Sequence, residues 1–345
     1  MTERPPSDPF TDAYAATGVD IAAGERAVEL MRAAIQSTHT AEVIGGVGSF
    51  GGLYRAPGSS GQVLVSSTDS VGTKVKLAIA LDRHDTIGQD LVHHCINDIL
   101  TLGARPLFFL DYLGIGKVAP EKVASIVSGV ARACRDHGVA LVGGETAEMP
   151  DLYAGDDYDL AGFIVGSVAE QEIVDGRRVA PGDVVIGLPS DGLHTNGYTL
   201  ARRVFAGDDL GATVEVLGSS LADALLAPHR CYLPLVAPLL PRGLIHGMAH
   251  ITGGGLPGNV PRCLPPGLGV VFDPSTWTVP PIFRLIEERG RVARREMYRV
   301  FNMGIGFVLI CGRDESAEAL GTLDGARIIG QVERCGESQR VKGLA

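Results

Sequence analysis

The sequence has no excess of basic charge. Lys and Arg number 30 against 40 Asp and Glu, which leaves a net charge of −10. This argues against a general nucleic-acid or anionic-membrane partner, which needs a basic face. A local basic pocket for a phosphate stays open. The six cysteines, Cys95, Cys134, Cys231, Cys263, Cys311 and Cys335, contain no CxxC pair and no Cys/His cluster at zinc spacing. They read as small buried thiols in a reducing compartment. No run of about 18 uncharged apolar residues is present, so no membrane-spanning helix is expected. The opening MTERPPSDPF lacks the basic-then-apolar order of a signal peptide. A cytoplasmic protein is the expectation. No short-period repeat is present either.

What is there is a long, glycine-rich, globular chain. Its 345 residues exceed one ordinary hydrophobic core, so two domains are expected. Apolar residues make up 45% and charged residues 20%, the balance of a soluble globular protein. Glycine, at 46, marks backbone that needs positive φ or close approach to a ligand. Residues 1–18 are polar and proline-containing and read as a loose arm. Helical spacing of Ala27, Leu30, Met31, Ala34 and Ile35 predicts a helix over 21–37. "GQVLVSSTDS", "PLFFLDYL" and "DYDLAGFIVGSVAE" read as strands. "IGQDLVHHCINDILTLG" reads as a helix capped by Gly103, and "APEKVASIVSGVARACRDHG" as a helix entered through Pro120 and closed by Gly138. This alternation predicts layered α/β (α+β) structure. The polar stretch "EQEIVDGRRVAPGD" marks the boundary, with domains over 19–172 and 173–345. Strand–loop–helix order continues beyond it, and "ARIIGQVER" reads as an edge strand.

The acids of the first half share an address. Asp69 ends a strand, Asp98 lies in the "CIND" helix, Asp111 ends "PLFFLD", and Glu145 and Glu148 follow a strand in "VGGETAEMP". Ligands of layered α/β folds gather at strand ends. Several carboxylates converging there suit magnesium, a hard ion held through oxygen. Any one of them alone also suits a cap or a turn. "GGVGSFGG" holds five glycines but no Lys-Ser/Thr ending, so it is not a Walker loop. "SVGTK" offers Gly72, Thr73 and Lys74 as a cradle with a point charge. In the second half, Ser190, His194, Thr195 and Asn196 precede one predicted helix, and Thr252 with Gly253, Gly254 and Gly255 precede another. Free backbone N–H groups at helix starts collect anions.

Together these segments resemble a known family. The motif D-x4-G-A-x-P runs from Asp98 to Pro106. "TGVDIAAGE", "GGVGSFGGLY", "STDSVGTKVKLA", "LVGGETAEMPDLY", "HTNGYTLAR", "AHITGGGLPGNVPR" and "EMYRVFNMGIGF" follow in family order. The chain resembles the phosphoribosylformylglycinamidine cyclo-ligases, also called aminoimidazole ribonucleotide synthetases. The resemblance implies ATP-dependent closure of formylglycinamidine ribonucleotide to aminoimidazole ribonucleotide, with release of ADP and phosphate, in purine synthesis. It implies ATP and Mg2+ as cofactors. It also implies a homodimer that pairs N-terminal mixed sheets, each with helices on one face, beside a C-terminal α/β sandwich.

By position, the resemblance makes Asp98, Lys74 and His194 the catalytic set and Asp69, Asp98 and Glu145 the metal set. Gly45, Gly46, Gly48, Ser49, Phe50, Gly51, Gly72 and Thr73 would bind ATP. Thr195, Asn196, Thr252, Gly253 and Asn302 would bind substrate, with Gly304 in the same "FNMGIG" motif. One departure stands out. The family reads G-T-D-G-V-G-T-K where this chain has serine at 67 and 70. If either site requires positive φ, serine adds strain of about 1 kcal/mol. The alternatives are a thiamine-monophosphate kinase of the same superfamily, which would form ADP with that substrate, and a nucleotide sensor, which would bind ATP without turnover.

Overall fold

The computed structural model describes residues 13–336 and 340–344. The first half contains α1 (Ile21–Gln36), β1 (Val43–Ile44), β2 (Gly52–Arg55), β3 (Gln62–Ser70), α2 (Val75–Leu81) and α3 (Ile87–Leu100). It continues through β4 (Arg105–Ile115), α4 (Pro120–Asp136), β5 (Ala140–Glu148) and β6 (Tyr158–Ala169). Its strands form one mixed sheet in the order β1-β2-β3-β6-β4-β5. The β4–β5 pair is parallel because α4 carries the chain across between them. β6 shows why the sheet has two unlike faces. Leu160, Ile164 and Val168 point into a core under α3 and α4, while Asp159 and Phe163 point out to an open face. Gly88 and Gly129 let those two helices cross at backbone distance. A Cβ at Gly88 would lie 2.3 Å from the Ile126 carbonyl oxygen, and one at Gly129 the same distance from that of Asp85.

The second half contains β7 (Val184–Pro189), α5 (Tyr198–Val204), β8 (Thr213–Val214), β9 (Ser219–Ser220), α6 (Leu221–Leu226) and α7 (Leu233–Val236). Then come β10 (Ile245–His250), α8 (Gly255–Asn259), β11 (Leu268–Phe272), α9 (Pro281–Gly290) and α10 (Arg294–Val300). β12 (Ile305–Cys311), α11 (Ser316–Leu320), β13 (Arg327–Arg334) and β14 (Val341–Lys342) complete it. The main sheet runs β10-β12-β7-β13-β11-β14. Apolar cores cover both of its faces: Val308 and Ile310 enter one, Leu309 and Cys311 the other. The layered α/β class expected from the sequence is the one observed.

Three details differ from expectation. β13 is not an edge strand; it lies between β7 and β11, and β14 supplies the edge through only two residues. Asp111 does not end its strand, since β4 runs on to Ile115, and Glu145 and Glu148 lie within β5 rather than after it. Residues 13–18 of the expected arm are seated on the second half. The Tyr14 backbone N–H donates to Glu296 Oε1 at 2.8 Å, and Arg203 donates to the Ala16 carbonyl. Residues 1–12 lie outside the described part. Helix α1 forms where its periodicity placed it, yet none of its residues is buried and Leu30 is 67% exposed. Among the described residues, no helix is long and apolar enough to cross a membrane.

Candidate active site

Helix α3 is buried along almost its whole length and sends polar side chains to both halves of the molecule. Asp90, His94, Asn97 and Asp98 recur at the spacing of one helical face. Asp98 Oδ1 lies 2.8 Å from His250 Nδ1, at the end of β10, and Oδ2 accepts from Ser67 Oγ of β3 at 3.0 Å. His94 Nε2 lies 2.8 Å from Asp69 Oδ2 at the end of β3, and its Nδ1 lies 2.8 Å from Thr195 Oγ1. The His94 and His250 rings meet edge to face at 5.0 Å. Asp69 and Asp98, from separate segments, are thus joined through two touching imidazoles.

The electrostatics separate these groups. Burial alone would keep His94 neutral, but the Asp69 carboxylate beside it, with Asp98 and Asp90, raises its pKa to about 9. Burial pushes the Asp69 carboxyl up, and the charge and hydrogen bond of His94 more than offset it, so it titrates below the usual carboxylate range. His250 is held below the ordinary histidine value by burial, against the pull of Asp98. Burial and neighbouring imidazoles press His194 and His229 well below it. At neutral pH the site therefore holds one imidazolium among neutral histidines.

The glycine loop 45–51 closes over this wall. Gly45 and Gly48 have φ of 79° and 117°, with nothing within 4 Å of an added Cβ. Gly46 likewise has open space, whereas Gly51 packs against β3 at Ser66 and Val65. Arg262 stacks 3.7 Å above the Phe50 ring and donates to the Gly48 and Ser49 carbonyls. A cavity of about 450 Å3 lies beside the loop, lined among others by Gly45, Ser49, Phe50, Thr101 and Met248. Ser67 and Ser70 carry no positive φ, so neither serine is strained. Ser67 instead donates toward Asp98, and the Ser70 backbone N–H donates to Asp69 Oδ1.

Several residues expected at the site do other work. Lys74 is fully buried; its ammonium pairs with Asp90 at 2.6 Å and donates to the Ala227 carbonyl. It is not presented as a phosphate-binding charge, because burying it unpaired would be too costly. Glu145 does not join Asp69. Strand register puts Asp69, Gly162, Asp111 and Gly144 in one row, and Ser70, Ala161, Tyr112 and Glu145 in the next. Adjacent rows face opposite sides of the sheet, and three strand spacings separate Glu145 from β3 by roughly 14 Å. Asp111, on the row of Asp69 but two strands away, is pushed up by burial.

Asn302 is consumed by the loops around it. It accepts from Ser190 Oγ and the Gly304 N–H and donates to the Gly192 carbonyl. His194 adopts φ 61°, is buried, stacks on His229 at 4.1 Å and leaves both ring nitrogens unpaired. Gly72 has φ 54°, and Thr73 Oγ1 lies 2.9 Å from Thr199 Oγ1, across the two halves. Asn196 and Gly253 adjoin each other, 3.4 Å from amide nitrogen to the Cβ position of the glycine. Thr252 is held by Asn259, whose amide donates to the Thr252, Gly253 and Gly255 carbonyls. The residues not singled out from sequence are Asp90, His94, His229, His250 and Arg262. The polar i, i+4, i+7, i+8 stripe of α3 was a usable signal for the first two.

A two-domain, two-sheet enzyme with a glycine loop over paired acids is the class this geometry defines. Comparison with known proteins narrows it. The profile of the AIR synthase related protein N-terminal domain matches residues 48–168, and that of the C-terminal domain residues 180–343. The phosphoribosylformylglycinamidine cyclo-ligase of Desulfitobacterium hafniense is 53% identical over 299 residues, covering 86% of this chain and 88% of the relative. That of Myxococcus xanthus is 51% identical over 329 residues, covering 93% and 95%. Among solved structures, thiamine-monophosphate kinase from Stenotrophomonas maltophilia superposes with a TM-score of 0.59 at 18% identity, covering 91% of this chain and 95% of that one. That likeness is one of fold. The chain belongs to the phosphoribosylformylglycinamidine cyclo-ligase family.

Proposed function

We propose that the chain closes the imidazole ring of aminoimidazole ribonucleotide from formylglycinamidine ribonucleotide, with ATP converted to ADP and phosphate. The carrying observation is the meeting of Asp69 and Asp98 at the seam of the two halves, beneath the glycine loop. An amide oxygen is a poor leaving group and phosphate a good one. Transfer of the γ-phosphoryl group to the formyl oxygen therefore prepares that carbon for attack by the amidine nitrogen. The protein's task is to position the two substrates and to neutralise developing charge.

The donor set fits Mg2+. Asp69 is partly exposed at 37%, and each carboxylate keeps lone pairs beyond its present hydrogen bonds. Asp69 and Asp98 would hold the ion, which when bound neutralises charge on the phosphates. The loop Gly45–Gly51, pinned by Arg262, encloses the nucleotide. Thr195, Asn196, Thr252 and Gly253 face the substrate. Lys74 and Asn302 position the elements that carry these groups.

A second copy of this chain completes the first sheet. Its open face carries Tyr54, Leu107, Val142 and Phe163, each at least 40% exposed. Apolar residues spread over one sheet face mark an interface. We place the domain boundary at residues 172–173, between the two profile matches. ADP release on mixing the protein with formylglycinamidine ribonucleotide, ATP and magnesium tests the activity. ADP formed with thiamine monophosphate but not with formylglycinamidine ribonucleotide would overturn it.

A further inference from the structure

Outside the active site, three residues far apart in sequence meet at a half-buried spot. His93 of α3 and His137, just after α4, place their Nε2 atoms 3.1 Å apart, and a ring nitrogen of each lies within 4.8 Å of Cys231 Sγ. The sequence showed no Cys/His cluster at zinc spacing because these partners are separated by whole elements.

One tautomer is settled by the surroundings. His93 Nδ1 lies 2.6 Å from the His229 carbonyl oxygen. A carbonyl only accepts, so Nδ1 carries the proton and Nε2 holds a free lone pair. Metal-ligating histidines are commonly oriented by this kind of hydrogen bond on the far nitrogen. Burial holds His93 down to about 4, so the ring is neutral and its lone pair available at physiological pH. Burial and the neighbouring charge of Asp136 act on His137 in opposite directions, with burial the larger, and it too lies below the ordinary value.

We propose that His93, His137 and Cys231 form a binding site for a divalent ion of the zinc class, with the fourth position open to water. Two imidazoles and a thiolate are the ligand set of such an ion and not of magnesium. Zn–N bonds of about 2.0–2.1 Å in a tetrahedron set neighbouring nitrogens about 3.3 Å apart, near the separation already present. The proton balance is simple. Without an ion, His137 Nε2–H donates to His93 Nε2. On binding, the His137 proton moves to Nδ1 through solvent, and the Cys231 thiol loses one proton to water. Burial holds that thiol up at about 12, so the ion has to drive the loss.

The site has a mechanical consequence. Cys231 is two residues from His229, whose Nε2 is 3.0 Å from His250 Nε2 and whose backbone N–H donates to Asp90 Oδ1. The ion would therefore tie the segment that carries His229 into the active-site wall to both α3 and α4.

The test uses the full-length protein, stripped with chelator and titrated with Co2+ and then Zn2+. We expect one equivalent of Co2+ per chain with a thiolate-to-cobalt charge-transfer band in the near ultraviolet, displaced by Zn2+. Cys231→Ser abolishes the band. His137→Gln, at a half-buried position, weakens binding by at least about tenfold while leaving the fold intact and leaving unchanged the ADP release measured with magnesium and no Co2+ or Zn2+. His194→Ala, in the separate histidine cluster around His229 and His250, leaves the band unchanged. Absence of Co2+ binding, Co2+ binding without a thiolate band, or a band that survives Cys231→Ser would each overturn the site. None of these results bears on the ring-closure reading, which is tested by ADP release alone.

Discussion

Two six-stranded sheets lie in one chain, and they are finished to different degrees. The second sheet has apolar cores on both faces, and every residue of β12 is buried. The first has helices on one face and leaves Tyr54, Leu107, Val142 and Phe163 uncovered on the other. The second sheet completes its own burial, so its strands are near-continuous apolar runs. The first alternates in and out, the pattern of a sheet whose core lies on one face only. Helix α1 likewise leaves its apolar stripe unburied. The seam between the sheets carries the candidate site: α3 belongs to the first half, but its polar face is satisfied by residues of the second.

The sharpest way to break this arrangement is at the seam. Lys74→Met would leave Asp90 buried without its partner, and a loss of about 3–5 kcal/mol is expected, read as a lower denaturant midpoint. An unchanged midpoint would show that the pair contributes nothing to stability. The two sheets can be set against each other directly. Leu309→Ala, in the covered sheet, should cost about 2–5 kcal/mol. Phe163→Ala, on the open face, should cost the single chain little and weaken self-association instead, as read by light scattering across a dilution series. Equal stability losses with no change in association would remove the distinction. Asp98→Asn keeps the size of the side chain and removes its charge. ADP release should fall by at least about a hundredfold while the melting temperature moves by only a few degrees. Activity within twofold of the parent would end the metal-phosphate role of Asp98. The smallest effect is expected for Ser67→Gly, which removes one hydroxyl from Asp98. A change of about 0.5–1.5 kcal/mol, seen as a several-fold shift in the KM for ATP, is expected. No shift would mean that the hydroxyl does not tune that carboxylate.

Much of the candidate site was legible because its residues sit beside punctuation. Asp69 sits at the end of an apolar strand, and Gly45–Gly51 and Gly253–Gly255 announce loops. Other residues were misread because their sequence neighbourhood said nothing about their partners. Lys74 beside Gly72 and Thr73 looks like a phosphate ligand until Asp90, beyond helix α2 and a loop, is seen to neutralise it. Glu145 looked equivalent to Asp69 because both are acids near strand ends. Strand order and register separate them, and neither is set by local composition. His94 and His250 escaped notice because a histidine in an apolar segment gains its meaning only from the carboxylate it meets.

Composition, periodicity and turn residues determined the layered class, the two-domain division and the segments that bear the acids, because these follow from local propensity and from the need to bury an apolar face. Tertiary structure decided which charges are spent on each other, which sheet face stays open, and that His93, His137 and Cys231 meet. Those outcomes depend on distances between segments separated along the chain, by more than forty residues in the case of His93, His137 and Cys231, and only the packed fold brings such segments within reach.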